Sequence, residues 1–162
     1  MKSIALCTIL LSLGLSTNIA MADSTVPKLS EPVADAKAKK IAVIKKMYQQ
    51  DVDNQEQEHP AVLQQYASKD LKAAMQLEQD YFDKTQMSCH IGHDVLWDSQ
   101  DPDYTQDKKF SVTKQGLVQV DLAQGSTVDY EVTCDDNACL VNDVIVDNND
   151  TSLKAYLKKE CQ

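Results

Sequence analysis

The chain predicts an α+β fold, and three features of its hydrophobic pattern carry that prediction. Apolar residues recur at helical spacing between residues 41 and 82, alternate with polar ones between 110 and 146, and return to helical spacing after residue 150. Helices, then an antiparallel meander, then a closing C-terminal helix is the α+β order, with the N-terminal helices packed on the sheet.

Residues 1–22 read as a signal peptide. A basic start at Lys2, an apolar run over residues 4–15 and the small-x-small triplet Ala20-Met21-Ala22 place cleavage before Asp23. The run is too short to span a bilayer and no second one follows. Cys7 lies inside it, too far upstream to be a lipid-attached first residue, so no membrane anchor is expected. The expected location is the periplasm or the exterior. Residues 23–34 are polar, carry Pro27 and Pro32 and show no periodicity, which predicts a loose lead-in.

Residues 35–162 are then expected to form one domain. Ile41, Ile44, Met47, Tyr48 and Val52 mark an amphipathic helix from residue 35 that ends in the polar stretch 53–59. Pro60 opens a short helix with Val62, Leu63 and Tyr66. Ser68 caps a third, with Asp70 in its first turn and a broad apolar face of Leu71, Ala73, Ala74, Met75, Leu77, Tyr81 and Phe82. Val95-Leu96-Trp97 is a short apolar segment that runs into the Asp-rich loop 98–107, where Pro102 and the many Asx residues signal turns. Strands follow at 110–113, 118–122, 128–133 and 140–146, the middle pair joined by the turn Gln124-Gly125-Ser126. In that pair Val118, Val120, Val128, Tyr130 and Val132 should be buried, while Gln119, Asp129 and Glu131 face solvent or a cleft. Asp150-Thr151-Ser152 caps a final helix carrying Leu153, Tyr156 and Leu157.

Charge and cysteine bound the chemistry. The whole chain has 25 acidic and 16 basic residues, a formal charge of −9, and the leader removes one more lysine. Nucleic acid is not expected as a partner, because phosphate neutralisation needs basic surface. All 16 basic residues are Lys, so the planar fork that grips carboxylate or phosphate is missing and small anions are disfavoured. An acidic surplus suits a basic protein partner instead. Four cysteines remain after the leader, which in an oxidising compartment argues for two disulfides, with three connectivities open. Cys134 with Cys139 is favoured, since Cys-Asp-Asp-Asn-Ala-Cys reads as a hairpin turn bridged at its neck. That leaves Cys89 with Cys161.

Several constellations invite a chemical reading. Cys89-His90-x-x-His93 holds soft and imidazole donors, yet its spacing fits no standard zinc pattern and Cys89 is wanted for a disulfide. Nothing around Cys89 resembles a nucleophile signature. Asp101, Asp103, Thr105 and Asp107 alternate like early calcium ligands, but Gln106 stands where such a loop bends on glycine and Val112 where it needs glutamate. No metal or cofactor is expected. His90 or His93 with Asp94, Asp98 or Asp101 would make an acid/base pair only if a pocket held them together. Trp97, Tyr48, Tyr66, Tyr81 and Phe82 fit a ligand lining or, more simply, a core.

The run Asp94-Val95-Leu96-Trp97-Asp98-Ser99-Gln100-Asp101, the strand pair, Val141-Asn142-Asp143-Val144-Ile145 and Ser152-Leu153-Lys154-Ala155-Tyr156-Leu157 together resemble the YbjP-like family of small exported bacterial proteins. The resemblance implies a cone-like fold of the nuclear-transport-factor-2 or cystatin type, with helices packed into a curved antiparallel sheet, and it brings no catalytic residues. The chain departs from that pattern in placing Cys134 and Cys139 around its last hairpin.

The expected function is a non-catalytic, exported protein-binding protein, an inhibitor or immunity protein against a cell-wall-targeting toxin being one form of it. The alternatives are a small-molecule or envelope-component binder and an enzyme using His90 or His93 with a nearby Asp. The expected binding residues are Trp97, Asp98, Asp101, Asp103 and Asp107 with His90 and His93, because polar groups on a loop held by a rigid scaffold are well placed to bind. No feature specifies an oligomeric state.

Overall fold

Period-two burial builds an open five-stranded sheet from the second half of the chain. The computed structural model describes residues 31–55, 61–89, 92–146 and 151–162. Strands β1 (Lys108–Val112), β2 (Val118–Leu122), β3 (Thr127–Cys134), β4 (Cys139–Val146) and β5 (Thr151–Ser152) pair antiparallel in sequence order. Val120 opposes Val128, and Tyr130 lies opposite Val118 on one side and Val144 on the other. All five are buried, as are Val132 and Leu122. One face of the meander is therefore a continuous apolar surface, as the alternation predicts. Glu131 is exposed and Gln119 and Asp129 half-buried, in the expected phase. The β2–β3 turn needs a left-handed residue, which Gly125 supplies at φ +99°.

A bulge interrupts β4. Glu131 opposes Asp143 but Val132 opposes Val141, so Asn142 is the extra residue. The local alternation breaks, and Asp143 and Val144, neighbours in sequence, are both buried. The expected strand 140–146 is present, but with a carboxylate inside it and with Leu140 exposed.

Helix α1 (Glu31–Asn54) lies across β1 to β4 and packs Ile44, Met47 and Tyr48 against the sheet. It starts four residues ahead of the expected residue 35 and takes in part of the predicted lead-in. Pro32 does not prevent this, because a first-turn N–H has no helical acceptor to lose. Helix α2 (Val62–Tyr66) buries its three apolar residues, and the Tyr66 hydroxyl donates to Gln50 Oε1 of α1 at 2.8 Å. The chain then bridges to β4, Ser68 N–H donating to Val141 O at 2.7 Å.

Helix α3 (Lys69–Thr85) is capped as expected, Ser68 Oγ accepting from Leu71 N–H at 3.3 Å. Its apolar face is narrower than the sequence suggests. Only Leu71 and Ala74 are buried, Ala73 is exposed and Phe82 is 46% exposed, because α3 rests mainly on the short α4 (Leu153–Glu160) rather than on the sheet. Helix α4 is capped by Ser152, whose Oγ accepts from Ala155 N–H at 3.0 Å. Buried Asp143 lies under the same end, accepting from the Lys154 and Val144 N–H groups and the Ser152 hydroxyl, where helix N-termini favour a carboxylate.

Both disulfides have the expected pairing. Cys89–Cys161 joins the segment after α3 to the end of α4, and Cys134–Cys139 closes the β3–β4 hairpin. Among the described residues no helix is long and apolar enough to cross a membrane. The expected signal peptide, residues 23–30 of the lead-in, His90 and Asp150 lie outside the described residues.

The two bridges differ in what they restrain. Cys89 and Cys161 are 72 residues apart and Cys134 and Cys139 only 5, so loop entropy assigns them roughly 4 and roughly 2 kcal/mol. Cys161→Ser should therefore lower the urea midpoint under oxidising conditions more than Cys139→Ser does. The reverse order would show that native packing around the hairpin, and not chain entropy, dominates.

Candidate functional site

The segment expected to bind is built around a plug. Asp94 and Ser99 pair across a tight loop, and Asp94 Oδ1 accepts from the Leu96 and Trp97 N–H groups at 2.8 and 3.3 Å. Asp98 closes the loop in the left-handed region at φ +46°, which an Asp tolerates better than most residues. The result drives Leu96 and Trp97 inward, and both are buried.

Trp97 meets helix α1 there. Its ring sits edge-on to Tyr48 at 5.2 Å and to Tyr104 at 5.2 Å, while Tyr48 is also edge-on to Phe110 and Tyr130. The polar atoms of the cluster are paired internally. Tyr48 hydroxyl donates to the Leu96 carbonyl and shares a hydrogen bond with the Tyr130 hydroxyl at 2.9 Å. Trp97 Nε1–H donates to Asp51 Oδ2 at 2.6 Å. Burial pushes the pKa of Tyr48 and of Tyr130 well up, so both stay neutral donors. Burial also raises Asp51; the Trp97 bond pulls against that rise and nearby Asp94 adds to it.

The acidic loop is stitched down on either side of its tip. Asp103 Oδ1 accepts from the N–H and the hydroxyl of Thr105, forming an Asx turn, and these bonds hold its carboxyl below the usual range. Buried Gln106 bonds Gln124 in the β2–β3 turn through both its amide groups, and Gln124 Nε2 reaches the Trp97 carbonyl at 2.7 Å. Lys108 Nζ lies 4.7 Å over the Trp97 ring and donates to Gln106 O at 3.0 Å.

The predicted residues divide accordingly. Asp101, Asp103 and Asp107 are exposed on one loop. Trp97 is fully buried, so it anchors the loop and cannot line a ligand surface. Asp98 faces inward to His93, with Nε2 and Oδ1 3.2 Å apart. Cys89 is in its disulfide, and among the described residues no group of His, Cys, Asp and Glu is arranged to hold a metal. Sequence reasoning missed Asp51, Tyr104, Gln106 and Gln124. Asp51 alone left a trace, as a carboxylate one heptad beyond Ile44 on the apolar stripe of α1.

Two consequences are measurable. Tyr48→Phe removes a buried hydroxyl and strands the Leu96 carbonyl and the Tyr130 hydroxyl, so it should cost about 1–3 kcal/mol in urea unfolding. A loss below ~0.5 kcal/mol would mean that the junction rests on ring packing alone. The second concerns pH. A carboxylate whose folded pKa is raised contributes stability that is present at low pH and is lost as pH rises through the folded value. Asp51→Asn, which keeps an acceptor for Trp97, should therefore gain on wild type as pH rises from about 4 to about 7. Urea midpoints that diverge the other way would show that the Trp97 bond outweighs burial.

Comparison with protein-family models, curated proteins and solved structures finds no match to this chain, so the resemblance to the YbjP-like family rests on the residues quoted for it.

Proposed function

We propose that this chain is a non-catalytic, exported protein-binding protein that presents loop 98–107 to a basic surface on its partner. One observation supports this most. The loop is held on a folded scaffold by Trp97, the Asp103 turn and the Gln106–Gln124 pair, while Asp101, Asp103 and Asp107 stay exposed. A preorganised loop loses little freedom on binding, and its charge steers a basic partner into register. Lys108 is drawn back over Trp97 and acts on Asp103 and Asp107 from there, while Lys109 is exposed beside them, so two lysines offset the loop's acids only in part. The leader pattern and two disulfides support an exported setting. An inhibitor of a secreted, basic, cell-wall-attacking protein is the specific form that fits these features.

Asp103 shapes the turn, so the charge test belongs on Asp101 and Asp107, whose carboxylates are exposed. Immobilised wild type should capture a basic protein from periplasmic extract at low salt. With that protein purified, Asp101→Lys with Asp107→Lys should slow association about tenfold at low salt and flatten the salt dependence. An unchanged on-rate would remove the loop from the interface.

A further inference from the structure

A cleft of about 280 Å³ lies between α1 and β1, lined by Lys45 and Val52 from the helix, Tyr104 from the loop, and Lys108 and Phe110 from the strand, with Tyr48 and Gln49 completing it. In a chain of formal charge −9 this lining contains two lysines and no carboxylate. Phe110 and Tyr104 are half-buried and give it an aromatic wall.

Both ammonium groups rest on neutral partners. Lys45 Nζ is 5.4 Å above the Phe110 ring, and Lys108 Nζ is held by the Trp97 ring and the Gln106 carbonyl. Among the described residues neither is ion-paired with a carboxylate. Cation–π contacts leave an ammonium's charge uncompensated, so an anion entering the cleft gains two cations already oriented. Asp103 and Asp107 act on Lys108 from the loop side, and Asp51 and Asp94 act on Tyr104 and Tyr48 from behind the lining, so the two cations work against a negative surround that repels a dianion more than a monoanion. The volume lies just below the usual range of ligand sites, which limits an occupant to a single ring. Lys supplies a point charge with no planar fork, so the anion would be met by two separate ammonium groups and not by one bidentate clamp.

We propose that this cleft binds a small aromatic monocarboxylate, its ring against Phe110 and Tyr104 and its carboxylate neutralised by Lys45 and Lys108. The absence of arginine pointed away from small anions, and the proposal departs from that expectation because the fold brings two lysines distant in sequence to one cleft. The cleft shares Tyr104 with loop 98–107, but the proposal rests on the lining of the cleft and not on the protein-binding reading.

Benzoate is the probe, and Trp97, the chain's one tryptophan, is the reporter beneath Lys108. At constant ionic strength benzoate should change the fluorescence saturably with an affinity of about millimolar. Benzyl alcohol and acetate should each bind about tenfold more weakly. Amide chemical shifts should move at Lys45, Tyr104, Lys108 and Phe110. Exposed Lys45 allows the charge to be reversed without opening the core, and Lys45→Glu should weaken benzoate about tenfold, with Lys45→Gln between the two. No saturable response, benzyl alcohol equal to benzoate, shifts confined to other residues, or a Lys45→Glu affinity equal to wild type would each overturn the proposal.

Discussion

The hydroxyl of Tyr48 is where this fold is joined. A phenol at 1% exposure must find its partners inside the protein, and it finds one on β3 and one on the 94–99 loop. Helix, sheet and loop therefore depend on one another. If the loop were displaced, the Tyr48 hydroxyl would lose its acceptor and the Leu96 carbonyl its donor in a space closed to water. The four edge-on ring contacts around Tyr48 and Trp97 reinforce the same junction through packing. Trp97 extends it to Asp51, whose raised pKa reflects the cost of placing a carboxylate where the indole can reach it.

This junction sets the character of the surface above it. Because Trp97 is held from below, Gln124 and Gln106 can fasten the following residues to the β2–β3 turn, and a polar stretch that a solvated chain would leave mobile becomes a shaped loop. Of its carboxylates, Asp98 turns inward to His93 and Asp103 holds the turn with one oxygen, while Asp101 and Asp107 are left to face outward. The loop's acidity is thus partly structural, and composition alone cannot divide the two roles.

What was legible in the sequence follows from local rules. Strand phase was readable because one wrong step would expose Val118, Val120 and Val128 together. The Ser68 and Ser152 caps were readable because a side-chain oxygen meets a free N–H within three residues. The disulfide of Cys134 and Cys139 followed from the hairpin between them. The rest depended on distant partners. The bulge at Asn142 is set by pairing with β3 and by the start of α4, and neither is visible in residues 140–146. The apolar spacing of α3 promised a wide buried face, but a short α4 covers only Leu71 and Ala74 well, so Phe82 stays out. Trp97 suited a core more simply than a ligand wall, and only the fold shows α1 and Tyr104 packed against it.

The lysines show the same dependence on context from the opposite side. Lys45 and Lys108 are two of sixteen, with nothing in their neighbours to distinguish them. In the fold each lies over an aromatic ring of the junction, and Lys108 is partly withdrawn from water, which lowers its pKa against the pull of Asp107 and Asp103. A ring face holds a cation in place without neutralising it. The aromatic cluster that fixes the acidic loop thereby also orients two positive charges beside it. Burial and ring geometry, not residue counts, thus decide where in an acidic chain two lysines come to line one cleft.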